Sequence, residues 1–243
     1  NERIRTLLQL ENLFSKIDFF LTKDTPTEHH AALVALFEVL EITARADIKS
    51  DLLQELERQK HLLEALRKNP NVDETTLNTA LGNIRSTFRE MLDLPGKVGE
   101  HLRENDWLMS IKQRMAIPGG CCVFDLPFYH YWLNLDTEKR HQDFKEWLGP
   151  FQPVRNAFEI VLYLLRKSGK TIKLTASQGV FQQTGAEYAA HMLRLNLSDD
   201  LPCIPEISAN KYALNIRFIP IKSTQKNKTY EGDVAFELTF CNL

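Results

Sequence analysis

The chain has 243 residues, 43% of them apolar and 26% charged, the make-up of a globular protein with one large domain or two small ones. A net charge of −2 argues against a general nucleic-acid binder, and no apolar run reaches the roughly eighteen residues that a membrane span needs. The chain begins at Asn1 rather than Met and opens without the charged and apolar regions of a secretory signal, so its native start is expected to be missing and no export signal is visible.

The first two-thirds reads as helix. Apolar residues from Ile4 through Leu7, Leu10, Phe14 and Ile17 to Leu21 fall at helical spacing. Thr25-Pro26-Thr27-Glu28 offers an N-cap, a proline at the first position and a glutamate at the third, opening a helix that runs out near Arg45. Asp47 can cap a long, lightly striped helix that Asn69-Pro70-Asn71 ends. Asp73 opens its partner, where Leu77, Leu81, Ile84, Phe88 and Met91 are spaced 4, 3, 4 and 3 apart. Residues 47–92 are therefore expected to form a long antiparallel helical hairpin, an arm or a dimer element.

A single helix is expected over 97–115. It ends at Ile117-Pro118-Gly119-Gly120-Cys121-Cys122-Val123-Phe124-Asp125-Leu126-Pro127. Pro118 cannot continue a helix, the two glycines can adopt positive φ, and Asp125 can cap the next helix with Pro127 in its first turn. The expectation is a tight, buried corner between two helices. An aromatic-dense helix follows, then one with Phe144 and Trp147. A last helix over 153–167, apolar on most of its surface, is expected to be the central buried helix of the bundle.

At Ser168-Gly169 the period changes to two. Ile172 and Leu174, then Leu193 to Leu197, Tyr212 to Phe218, and Val234 to Phe240 alternate with polar neighbours, as half-buried antiparallel strands do. Residues 222–232 read as a polar, mobile hairpin loop. The expected class is α+β: a multi-helix bundle domain over 1–168, then a small antiparallel β-sheet domain over 169–243.

Little in the chain suggests catalysis. The four cysteines, Cys121, Cys122, Cys203 and Cys241, form no metal-ligand spacing and are expected to be reduced structural thiols, which fits a cytosolic compartment. His29 and His30 point about 100° apart on a helix and are expected on a solvated face. His130 is expected in the core or at its edge, with a partner contact as the other reading. No nucleophile motif or phosphate loop is present, so no catalytic, cofactor or metal residue is assigned. Several basic residues remain as candidates for binding a peptide with carboxylates. Arg45 stands at a helix junction, Arg103, Lys112 and Arg114 precede the corner, and Lys211 and Arg217 lie on the expected exposed face of a strand.

The string Arg114-Met115-Ala116-Ile117-Pro118-Gly119-Gly120-Cys121-Cys122, with Phe124-Asp125-Leu126-Pro127 after it, resembles the ZapD family of bacterial cell-division proteins. Residues 52–59, 193–198 and 216–218 support the resemblance, which covers nearly the whole chain. It implies a helical domain and a β domain, no cofactor and no known catalysis, and a homodimer at the cytoplasmic midcell division site. It also implies binding to the C-terminal peptide of FtsZ, the tubulin-like division GTPase, so that a dimer links filaments into bundles and stabilises the Z-ring. The family's basic contact positions fall here on Arg45 and Arg217, and His130 matches a histidine after the signature string. Two further basic positions fall on Asp106 and Ala213, so the charge pattern differs. The expected partner-binding set is Arg45, Lys211, Arg217, His130, Arg103 and Arg114, with Arg45, Lys211 and Arg217 converging on a groove for the tail. The alternative is a small-ligand or nucleotide-dependent enzyme; neither nucleic acid nor membrane is expected as a partner.

Overall fold

The computed structural model describes residues 2–45, 47–184, 190–210, 212–221 and 228–242, for Arg45 the backbone alone. The chain forms two compact units, Glu2–Leu162 and Tyr163–Leu243. Most of the expected loop over 222–232, residues 222–227, lies outside the described residues. The class is α+β, with helices first and antiparallel strands after them.

In the helical unit α1 (Glu2–Leu21) packs along α2 (Pro26–Arg45). Leu7, Leu10, Phe14 and Ile17 form its buried stripe. Thr25 caps α2 as expected: the Glu28 amide donates to Thr25 Oγ1 at 3.4 Å, while the Thr25 hydroxyl, rather than its backbone N–H, donates to the Glu28 carboxylate. The hairpin also forms as expected. Asp47 caps α3 (Ile48–Ala65) through the Ser50 amide, and Asp73 caps α4 (Glu74–Asp93) through the Thr76 amide at 2.7 Å. Leu52 and Leu56 are buried on α3, and Leu77, Leu81, Ile84 and Met91 on α4.

The single helix expected over 97–115 is two. The α5 turn (Glu100–Arg103) stops, and Asn105 Oδ1 accepts from the Leu108 amide at 3.0 Å to start α6 (Asp106–Met115). A side-chain cap inside the apolar pattern won over periodicity. Helices α6, α7 (Pro127–Leu133) and α8 (Thr137–Leu148) meet in an aromatic cluster. Trp132 lies 5.9 Å from Tyr129, 5.8 Å from Trp107, 5.9 Å from Phe144 and 5.5 Å from Trp147, and its Nε1–H donates to Asp143 at 2.7 Å. Each such ring pair adds about 0.5–1.5 kcal/mol beyond burial.

The last helix, α9 (Gln152–Lys167), is one-sided rather than buried all round. Val154, Ala157, Phe158, Val161, Leu162 and Leu165 are buried, while Gln152, Glu159 and Tyr163 are exposed. Arg155 fastens it to α1 by a two-toothed contact with Asp18 at 3.0 and 2.6 Å.

His29 corrects the solvated-face expectation. It is fully buried, because α8 closes over the first turn of α2. Arg140 Nε donates to His29 Nδ1 at 2.7 Å, so that nitrogen carries no proton, and Nε2 donates to the Lys23 carbonyl at 2.9 Å. His141 Nε2 is 3.1 Å away. Burial first, then Arg140 and His141, hold the His29 pKa below its ordinary 6.5, against the raising effect of the Lys23 carbonyl and Asp24. Half-buried His30, 2.6 Å from the Tyr129 hydroxyl, is likewise lowered by burial and by His130.

The corner is also different. Ile117 is 48% exposed, Val123 62% and Phe124 83%, and Cys121 and Cys122 are half-buried rather than packed inside. Asp125 does not cap α7. Leu126 stands at the cap position, and Asp125 lies 3.8 Å from Arg114 instead. The glycines do close the turn: Gly119 has φ +74°, and a Cβ on Gly120 would stand 2.3 Å from the Arg114 carbonyl.

Among the described residues the β unit has two three-stranded antiparallel sheets. One has the order β1 (Lys170–Ala176), β6 (Val234–Cys241), β3 (Met192–Leu197). The other has β2 (Val180–Thr184), β5 (Ala213–Pro220), β4 (Cys203–Ala209). Phe236 of β6 meets Phe181 at 5.5 Å and Phe218 at 5.3 Å, so the two sheets share one core. The sequences of β2 and β4 lack apolar–polar alternation, although β2 alternates in burial. Among the described residues β4 pairs with β5 alone; it contains Pro205 and is exposed over most of its length. Tyr212, expected inside, is 67% exposed in an Asn210 turn that precedes β5.

The His29 geometry gives a pH dependence. The unfolded chain binds a proton at about 6.5, and the folded chain only at lower pH, so stability is full above 6.5 and falls as pH drops below it towards the folded value. Thermal melts should be flat from pH 8 to 7 and fall between pH 6.5 and 5. A His29→Asn variant should be less stable at pH 8 but lose less on acidification. Equal pH slopes for the two proteins would contradict the assignment.

Candidate partner-binding site

The basic candidates separate by what their side chains already hold. Arg103, half-buried, acts as a strap. Its Nη1 donates to the Val98 carbonyl at 2.8 Å, and its Nη2 to the Leu40 carbonyl at 3.2 Å, close to the C-terminal end of α2 where a cation is favoured. Lys112 pairs with Glu41, and Arg114 with Asp125. His130 Nε2 donates to the Cys121 carbonyl at 2.6 Å, which fastens α7 to the corner. Arg45 is the last residue of α2, and its side chain is not described; Lys211 lies outside the described residues.

Arg217 sits in the middle of β5. Leu214, Ile216 and Phe218 point into the core, so period two sends Arg217 to the outer face of the sheet. Its cross-strand neighbours are Val180 on β2 and Glu206 on β4. Arg217 Nε and Nη2 both donate to one Glu206 oxygen, at 3.1 and 2.5 Å. The Glu206 side chain is 58% exposed and that of Arg217 39%. Such a pair is worth about 0.2–1 kcal/mol, so an incoming carboxylate can compete for the guanidinium. Val180 and Ile204, 40% and 54% exposed, lie on the same face and offer apolar contact.

Asp106 and Ala213, the two positions where the resemblance implies a departure from the basic pattern, each have a local structural role. Asp106 is the first residue of α6, where a carboxylate favours the helix N-terminus. Ala213 opens β5, its amide held by Asn210 Oδ1 at 2.9 Å.

A depression of about 690 Å³ lies beside the end of α2, lined by Asp47, Lys49, Lys97, Glu100 and Arg103 among others. Its charges mostly stitch the backbone: Lys49 donates to the Leu94 carbonyl at 2.6 Å, and Glu100 accepts from the Lys97 amide at 3.0 Å. Among the described residues no group of three or more His, Cys, Asp or Glu is arranged to hold a metal ion. Burial raises the pKa of Cys121, so its thiol is not an activated thiolate. Among the described residues no helix is long and apolar enough to cross a membrane.

The sequence reading did not foresee the Glu206 partner of Arg217. A glutamate in a proline-containing segment without alternation gives no sign of a strand, and only the β4–β5 register brings the two together.

Residues 8–217 match the family model described as ZapD, a cell division protein. The chain is similar over its whole length to proteins named Cell division protein ZapD. That of Nitrosomonas europaea is 60% identical, with 93% of its length covered; that of Nitrosomonas eutropha is 58% identical, with 97% covered; and that of Dechloromonas aromatica is 53% identical, with 97% covered. A model match over most of the chain, together with these full-length relatives, shows that the chain belongs to the ZapD family of cell division proteins.

Proposed function

We propose that the protein is a non-enzymatic cell-division factor that binds the C-terminal peptide of FtsZ in the cytoplasm at midcell. As a dimer it would crosslink and bundle FtsZ filaments and so stabilise the Z-ring. The observation that carries this reading is Arg217: a guanidinium on the outer face of a sheet, flanked by apolar side chains and, among the described residues, held by an exposed carboxylate that a ligand can displace. Arg45 and Lys211 supply further positive charge in this reading. His130 and Arg103 set local geometry through their carbonyl contacts, and Arg114 stands beside the corner. Each exposed ionic contact is worth about 0.2–1 kcal/mol, so single contacts with the tail are weak and reversible. Two sites on one dimer raise the local concentration of the second tail and turn weak contacts into filament links.

Titration of a labelled FtsZ tail peptide tests the site. Binding should weaken steeply as salt shortens the Debye length, and Arg217→Glu should abolish it while the melting curve stays within a few degrees of wild type. Wild-type affinity in that variant would remove Arg217 from the site. Glu206→Gln, which takes away the internal competitor, should tighten binding by about two- to five-fold. An unchanged or weaker affinity would mean that the Arg217–Glu206 pair does not limit the contact.

A further inference from the structure

Two of the four cysteines stand apart from the rest. Cys203 and Cys241 are buried in the β unit, whereas the adjacent thiols Cys121 and Cys122 are free and half-buried at the corner between α6 and α7. On a strand, neighbouring side chains point to opposite faces. Here the backbone turns instead: the Gly120 amide donates to the Ile117 carbonyl at 2.9 Å, the Cys122 amide to the Gly119 carbonyl at 3.3 Å and the Asp125 amide to the Cys122 carbonyl at 3.0 Å. His130 Nε2 holds the Cys121 carbonyl at 2.6 Å. The backbone that carries both thiols is thus fixed on either side. Burial first, then the neighbouring Cys122 sulfur, raises the Cys121 pKa, so the two sulfurs lie within reach of each other's charge.

Covalent geometry decides what such a pair can take. The peptide between them is trans, which sets the two Cα atoms about 3.8 Å apart. Ordinary disulfides span about 4.4–6.8 Å between Cα atoms, so a direct S–S bond across this peptide is strained and readily reduced. One further atom between the sulfurs lengthens the ring and relieves that strain. It must be soft, as sulfur is. It must be satisfied by two protein ligands, because among the described residues no group of three His, Cys, Asp or Glu is arranged to hold a metal ion. It must also react with thiols that are protonated at neutral pH, as burial keeps Cys121. Trivalent arsenic with one organic group meets all three conditions. In its dihydroxy form the two hydroxyls take up the two thiol protons and leave as two waters. Two As–S bonds replace two As–O bonds, and neither arsenic nor sulfur changes oxidation state.

We infer that Cys121 and Cys122 form a chelating dithiol site for trivalent organoarsenicals, closed over the peptide whose carbonyl His130 holds. The bridge ties the two side chains together and stiffens the corner. A reagent held by one thiol is lost to any competing monothiol, whereas the second thiol of a chelate acts at high effective concentration and resists that exchange. The site is separate from Arg217 and does not depend on what that residue binds.

Titration of the whole reduced chain with phenylarsine oxide, which hydrates to the dihydroxy form, tests it. Intact-mass spectrometry should find a single phenylarsenic on each chain, retained in excess glutathione and removed by 2,3-dimercaptopropanol. Cys121→Ser and Cys122→Ser should each weaken binding at least about a hundred-fold, while their circular dichroism melts stay close to wild type. Wild-type affinity in either variant, or an adduct that glutathione strips from the wild-type chain, would overturn the chelate. Peptide mapping that places the arsenic on Cys203 or Cys241 would overturn it too. So would a folded chain that takes up no arsenic and binds it only after denaturation in guanidinium, since the corner sulfurs would then be out of reach.

Discussion

The Arg140 guanidinium is 3% exposed, and all five of its N–H groups are used within the chain. Nε donates to His29 at 2.7 Å. Nη1 donates to the carbonyls of Leu133, at 2.9 Å, and Leu135. Nη2 donates to the Asp24 carbonyl at 2.6 Å and to Thr137 Oγ1 at 3.2 Å. One side chain thus joins the α1–α2 turn, the first turn of α2, the end of α7 and the start of α8. A buried cation is costly unless its hydrogen bonds are met, and removing it would strand buried carbonyls at about 1–3 kcal/mol each. The neutral state of His29 follows from the same contact.

With its C-terminal end held by Arg140 and its inner face packed on Trp132's neighbours, α7 has one orientation. Tyr129, Trp132 and Leu133 point in, so Phe128 and Tyr131 must point out. The same logic operates in the β unit with a different period. Leu214, Ile216 and Phe218 fill the core, so Arg217 is forced to the outside, where β4 brings it a carboxylate. Core packing thus decides which chemistry each surface presents: aromatic and neutral on α7, ionic and exchangeable on β5.

Much of this was legible in the residues. Helical and strand periods separated α from β, Thr25, Asp47 and Asp73 were readable caps, and alternation placed Arg217 outward. What escaped was tertiary. His29 looks solvated in a helix that begins with polar residues, and nothing local announces that α8 will close over it. The corner's glycines, thiols and Phe124 suggested packing, yet composition does not say on which side of a turn a side chain emerges. Asn105 was a readable cap, hidden inside a longer apolar pattern. Strand β4 carries its pairing in the register with β5 rather than in its own pattern.

Co-sedimentation with FtsZ filaments, with and without the FtsZ C-terminal tail, at low and high salt, tests the central claim most directly. Bundling that needs the tail and fades at high salt is the expected result. Pelleting that ignores the tail would contradict the Arg217 site while keeping FtsZ as partner, and no co-pelleting at any salt would contradict the filament-crosslinking function itself.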